Sequence, residues 1–204
     1  MKITNQARKH FFFIISILVV MVSCATIPYL KVNYRIPPKS DALKGKMVYL
    51  SFDDARKVKD ILGKGARKEF ENFSGNISLS LARGNEPGFQ VGVYALPSLF
   101  REVFNRRLEN LGIEVIPERK KDRIEVVIVL KNFLLDLIDR KWVVTMDYEA
   151  WLVKDKRVAA KQMITGQAER VKLVGRGQAD TVMGEIITDM VNRLDVGRLF
   201  LQAN

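Results

Sequence analysis

The sequence predicts an α+β domain, a two-layer sandwich in which a mostly antiparallel, meandering sheet is packed by two amphipathic helices. Three observations predict it. Long segments beyond Arg123 alternate apolar and polar residues with a two-residue period, as half-buried strands do. Two other segments repeat apolar residues at the spacing of a helix face. With 48% hydrophobic and 28% charged residues, the composition is that of a folded chain and not a disordered one.

Met47–Phe52 reads as a first strand, stopped by Asp53-Asp54. Arg56–Phe73, interrupted by Gly63 and Gly65, gives no clear element. Asn76–Leu81 places Ile77, Leu79 and Leu81 on one strand face, and Gly84-Asn85-Glu86-Pro87-Gly88 is the clearest loop. Pro97 suits a first helical turn, and Leu99, Phe100, Val103, Phe104, Leu108 and Leu111 continue that helix until Gly112 stops it. Three strands follow. Ile124, Val126, Ile128 and Leu130 mark the first, and Trp142, Val144, Met146, Tyr148, Ala150 and Leu152 the second. Lys154-Asp155-Lys156 turns the chain into the third, Arg157–Val171. The second helix runs from about Gln178 to Leu194, with Met183, Ile186, Ile187, Met190 and Val191 on its stripe.

Ahead of this domain, Met1–His10 is polar and cationic, and Phe11–Val22 is apolar apart from Ser16. A helix of that length spans about 18 Å, short of the roughly 30 Å hydrocarbon core, so the segment reads as a secretory signal. Its end, Met21-Val22-Ser23-Cys24, resembles the bacterial lipobox, with Met21 where leucine is usual. The resemblance implies cleavage between Ser23 and Cys24, diacylation of the Cys24 sulfur and a further acyl group on its amine. Two or three acyl chains anchor a protein durably where one does not. Ala25 in place of aspartate implies, by the same resemblance, an outer-membrane anchor facing the periplasm. The expected organisation is a signal peptide over 1–23, an acylated N-terminus and proline-bearing tether over 24–45, and a single periplasmic domain over 46–204.

Charge and rare residues narrow the function. The chain has 34 Lys+Arg against 23 Asp+Glu, a net charge of +11; removing Lys2, Arg8 and Lys9 with the signal would leave +8. Its one histidine, His10, would be lost as well, and its one cysteine would become the first residue. Such a chain has no Cys/His pair, no His-ligated metal site and no intrachain disulfide. No Ser-x-x-Lys or Gly-x-Ser-x-Gly occurs. We therefore expect no enzyme, no cofactor and no metal. Asp53 and Asp54 beside Arg56 read as turn residues, although an acid/base pair is the alternative; Asp136 and Asp139 raise the same question. Gly175-Arg176-Gly177 reads as a turn into the last helix, with anion binding as the alternative.

The basic surplus falls at strand ends and turns: Arg119-Lys120-Lys121, Arg123, Arg140-Lys141, and Lys154 with Lys156-Arg157. Anionic lipid headgroups are the partner this implies; an export signal excludes nucleic acid. The outer sheet face offers Val143, Trp151 and Val153, which with Lys154, Lys156 and Arg157 form the candidate surface for an envelope protein or a lipid.

The order of parts resembles the YajG-type family of bacterial lipoproteins: lipobox, proline-bearing tether, a first strand closing on Asp53-Asp54-Ala55-Arg56, the Leu99–Leu111 helix with its Leu-Gly-Ile exit, three long strands with Tyr148 on the middle one, and a last helix before Phe200. The resemblance covers most of the chain beyond the signal. It implies a non-enzymatic, membrane-anchored envelope module for binding or assembly. The same layout is similar to accessory lipoproteins of lipid and lipopolysaccharide transport, which implies, as the alternative, binding of acyl chains or anionic headgroups.

Overall fold

The computed structural model describes residues 29–84, 86–119 and 123–203. Ser23, Cys24 and the signal segment, like Lys120 and Lys121, lie outside the described residues. The elements are β1 (Leu30–Ile36), β2 (Met47–Asp54), α1 (Lys64–Glu69), β3 (Asn76–Arg83), β4 (Phe89–Ala95), α2 (Leu96–Asn110), β5 (Glu114–Ile116), β6 (Ile124–Ile138), β7 (Lys141–Lys154), β8 (Arg157–Val171), α3 (Gly177–Arg193) and α4 (Val196–Gln202).

The fold is α+β, as expected, but its strands divide into two sheets with mixed directions. The larger has the order β5-β2-β6-β7-β8 and the smaller β1-β3-β4. β6, β7 and β8 form the expected antiparallel meander, whereas β2 runs parallel to both β5 and β6, and β1 parallel to β3. The parallel pairs arise because intervening chain carries each strand back to its starting end before it pairs. The meander's two-residue turns are Asp139-Arg140 and Asp155-Lys156, all four with φ between 47° and 63°. Both central residues in the left-handed region make the turn whose twist matches the flanking strands.

The expected tether is corrected. Leu30–Ile36, placed by sequence in a 24–45 tether, is a strand with Leu30, Val32, Tyr34 and Ile36 buried and Lys31, Asn33 and Arg35 exposed. The folded part therefore begins at Leu30, not near Lys46. The chain then rounds a corner held by Asn110, whose Nδ2 donates to the carbonyls of Pro37 and Pro38 at 3.2 Å each.

One continuous core runs from Leu30 to Phe200. α2 lies on the inner face of the larger sheet. Phe100 stacks on Phe52 at 5.7 Å and meets Phe133 edge-on at 5.2 Å, while Phe104 meets Tyr148 edge-on at 5.3 Å. α3 covers β7 and β8: Tyr148 Oη donates to the Met190 carbonyl at 2.8 Å. α3 also seals the free edge of β1 with one residue per turn. Asp180 Oδ1 accepts from Lys31 N (2.8 Å), and Thr188 Oγ1 from Arg35 N (3.1 Å). Asn192 accepts from Tyr34 Oη (3.0 Å) and donates to the Arg35 carbonyl (3.1 Å). Gly184, between them, lets the helix approach so closely that a Cβ there would lie 3.1 Å from the Asn33 carbonyl oxygen. An edge that would otherwise present unpaired backbone groups is thereby closed by side chains.

This register gives the domain two ends. The starts of β1 and α3, the β6–β7 turn and the end of β8 share one; call it the entry end. The ends of β1 and α3 and the β7–β8 turn share the other. α3, with 17 residues, separates them by about 25 Å.

Candidate functional site

Two of the four candidate acids, Asp54 and Asp136, are held by structural contacts. Arg56 is buried and donates Nε to Asp54 Oδ1 and Nη2 to Asp54 Oδ2, both at 2.9 Å, while its Nη1 reaches the Phe133 carbonyl at 3.3 Å. These hydrogen bonds hold the Asp54 carboxyl below its ordinary value despite an opposing effect of burial. They also fasten the chain leaving β2 to β6 beside the β6 bulge at Leu130/Asn132. Asp136 Oδ1 accepts from the backbone N–H of Gly65 (2.8 Å) and Ala66 (3.1 Å), so it caps α1 from a distant strand. Asp139 sits in the left-handed turn. Asp53 lies on the opposite sheet face from Phe52, apart from the Asp54–Arg56 pair. Among the described residues no three His, Cys, Asp or Glu side chains gather as a metal site.

The candidate sheet surface is divided. Trp151, Val153, Lys154, Lys156 and Arg157 come together at the β7–β8 turn, and β8 adds the exposed Val158 and Met163 opposite Val153 and Glu149. Val143 lies at the other end of β7, between Asp136 and Glu169 on the neighbouring strands. Trp151 is half-buried by charged neighbours: its Nε1 donates to Glu149 Oε2 at 2.9 Å, and the Lys131 ammonium lies 6.0 Å from its ring centroid. Glu149 in turn faces Lys131 and Lys161, each at 3.8 Å. The face thus carries charge pairs around one aromatic ring, with exposed apolar side chains at Val158 near the turn and at Met163 farther along β8.

A second feature was not visible as a site in the sequence. At the end remote from the chain's entry, a cleft of about 600 Å³ opens between the corner at Ala42–Lys46, the end of α2, and the α3–α4 connection. Leu43, Leu111, Leu194, Val196 and Phe200 give it an apolar lining, with the exposed Leu201 at its lip. Arg107, Lys46 and Arg193 supply positive charge. Arg193 is committed to Asp189, and the Lys46 ammonium lies over the Phe200 ring at 5.6 Å. Arg107 Nε is buried and has no hydrogen-bond acceptor among the described residues. An apolar-lined cleft of this size with a cationic residue in its wall has the form of a small-molecule site. α4, which supplies Phe200, was missed by sequence. Its signal was present: Asp195 caps it by accepting from Arg198 N at 2.9 Å, and Val196, Leu199 and Phe200 follow at helical spacing. A larger cavity near the entry end, about 620 Å³, is lined by Arg56, Lys59, Asp60 and Arg67 with Phe70–Gly75, and Arg67 is paired there with Asp60.

Among the described residues no helix is long and apolar enough to cross a membrane. No family model matches the chain, and no curated protein matches it. Among solved structures, a Xanthomonas campestris protein of the DUF330 family superposes with a TM-score of 0.52 at 16% identity, covering 85% of this chain and 95% of that one. An uncharacterised protein gives 0.42 at 11% identity over 81% and 95% of the two chains. A dodecameric PelC from Paraburkholderia phytofirmans gives 0.33 at 9% identity over 78% and 95%. At these identities the first likeness is one of fold: the chain shares its α+β layout with a DUF330 protein.

Proposed function

We propose that this chain is a membrane-anchored lipoprotein of the bacterial envelope, of the YajG type, that works without catalysis by binding an anionic amphiphile in the cleft between α2 and α4. The observation that carries the reading is the cleft itself: about 600 Å³, walled by Leu43, Leu111, Leu194, Val196 and Phe200, with the cationic Arg107 in its lining. Arg107 lines the cleft, so a carboxylate or phosphate headgroup there would meet its positive charge while the acyl chain meets Leu43, Leu111 and Phe200. The lipobox at Met21–Cys24 supports the anchor and the envelope location. Asp54 and Asp136, engaged with Arg56 and with the start of α1, support a binding role over a catalytic one.

A chain starting at Ala25 retains every core residue from Leu30 to Phe200 and is suited to the test. Native mass spectrometry with added dodecanoate or phosphatidylglycerol should show a one-to-one complex. Leu201→Asp, at an exposed position, and Arg107→Gln should each weaken it about tenfold. A bare protein mass at every lipid concentration, or equal binding by both variants, would refute the cleft. For the anchor, Cys24→Ser should abolish the mature membrane-bound form in fractionated cells; the same mature size retained with membranes after carbonate washing would refute it.

A further inference from the structure

The loop between β8 and α3 has no role in the cleft. Val171-Lys172-Leu173-Val174-Gly175-Arg176 leaves the sheet with its apolar side chains in water: Leu173 is 68% exposed and Val174 95%. Lys172 N donates to the Arg140 carbonyl at 2.8 Å, which sets the loop alongside the β6–β7 turn, where Ile138 is another half-exposed apolar residue. Two arginines flank this apolar tip without an ion pair among the described residues. Arg140 stands in the left-handed turn, and Arg176 is held by its guanidinium over the Phe70 ring at 5.1 Å. Two acids nearby are occupied: Glu69 pairs with Lys172 and Glu169 with Lys141. Asp139, beside Arg140 in the turn, and Asp180, in the first turn of α3, are carboxylates at this end without a paired cation among the described residues.

The position of this tip identifies its partner. Lys31 N donates to Asp180 in the first turn of α3, so the chain enters the fold beside the loop. Six residue steps separate Cys24 from Leu30, a reach of at most about 21 Å even when fully extended. An acyl group at Cys24 would therefore hold this end of the domain, and no other, at the headgroups. Large exposed aliphatic side chains flanked by arginines are suited to entering the boundary of an anionic bilayer.

We propose that the 171–176 loop, with the adjoining 138–140 turn, is a membrane-docking surface that inserts Leu173 and Val174 into an anionic phospholipid bilayer while Arg140 and Arg176 meet its headgroups. This rests on the anchored reading for its setting, but the test needs no anchor. The chain from Ala25 has no cysteine, so Val174→Cys carries a single environment-sensitive fluorophore, and Met163→Cys, on the outer face of β8, serves as the remote control. With vesicles of phosphatidylglycerol and phosphatidylcholine, the label at 174 should shift to the blue and brighten, and the label at 163 should not. Leu173→Asp should reduce the vesicle affinity of the 174-labelled chain at least tenfold, and phosphatidylcholine vesicles alone should bind it several-fold more weakly. A 174 label that remains water-like, responds no more than the 163 label, or is indifferent to Leu173→Asp would overturn the proposal. A failure of Cys24→Ser to release the protein in cells would instead overturn the anchor and leave the vesicle result standing.

Discussion

Asn192→Ala tests the way α3 closes the edge of β1. The amide accepts from Tyr34 Oη and donates to the Arg35 carbonyl, so truncation removes two hydrogen bonds, worth about 1 kcal/mol each. The two orphaned partners differ. Arg35 is exposed, and water can serve its carbonyl at little further cost. Tyr34 is fully buried, and burial pushes its hydroxyl pKa well above the ordinary value, so it stays a neutral donor in search of an acceptor. An unmet buried hydroxyl adds about 1 kcal/mol or more, giving roughly 3 kcal/mol in total. Tyr34→Phe removes the donor itself and should cost about 1 kcal/mol; the double variant, with no orphaned hydroxyl, should then cost about 2 kcal/mol, less than Asn192→Ala alone. Urea unfolding of the chain from Ala25, followed by the fluorescence of Trp142 and Trp151, measures all four corners of this cycle. A loss below about 0.5 kcal/mol for Asn192→Ala, or strict additivity in the double variant, would refute the assigned bond.

Other perturbations probe separate joints of the fold. Arg56→Ala leaves Asp54 with Lys59 alone and frees the Phe133 carbonyl; we expect a loss of about 3 kcal/mol in denaturant titration. The Asp54 carboxyl lies below its ordinary 3.8 in the folded chain, so its contribution is complete above that value and declines as pH falls through the folded-state value. Arg56→Ala should flatten that acid limb in a pH series of midpoints. Asp136→Ala uncaps α1 and should cost about 1–2 kcal/mol, with hydrogen exchange rising first at Gly65 and Ala66. Gly184→Val forces side-chain atoms onto the β1 backbone and should lower the melting temperature by several degrees, although valine would otherwise suit a helix better than glycine.

What the sequence made legible follows from how locally each signal is written. β7 alternates without interruption over its fourteen residues, and the turns at its two ends fall where Asp-Arg and Asp-Lys pairs allow positive φ. α2 and α3 carry complete apolar stripes. β1 has an equally clean alternation, but it is only seven residues long and stands between Pro28 and Pro37-Pro38, so composition pointed to a tether. β4 is hidden for a different reason: none of its seven residues is buried, and its backbone is fixed by pairing with β3 instead of by burial. Asp53 and Asp54 belong to β2 and not to the turn the sequence suggests, although Arg56 is the counter-ion of Asp54 as expected; the capping of α1 by Asp136 spans some seventy residues of sequence and leaves no local trace. The cleft is the extreme case. Its walls come from three distant segments, and nothing in any one of them marks Arg107 as the residue whose donor is left unmet.

The separation of the two ends leads to one last expectation. A cleft that drew its ligand directly from the anchoring bilayer should open beside Leu30, where an acylated Cys24 would hold the domain to the headgroups. It opens instead at the far end of α3, about 25 Å away, next to Leu194 and Phe200. Docking by the 171–176 loop would fix that orientation and keep the cleft turned toward the aqueous space. A ligand would then arrive from solution or from a facing membrane. The acylated full chain, reconstituted into vesicles, can be offered a fluorescent fatty acid either in those same vesicles or in a second donor population. We expect loading from the second population to be at least as fast, and Leu173→Asp, which frees the domain to tilt, to raise loading from the anchoring vesicles. Loading confined to the anchoring bilayer would mean that the cleft faces the membrane, contrary to the polarity that β1 and α3 impose.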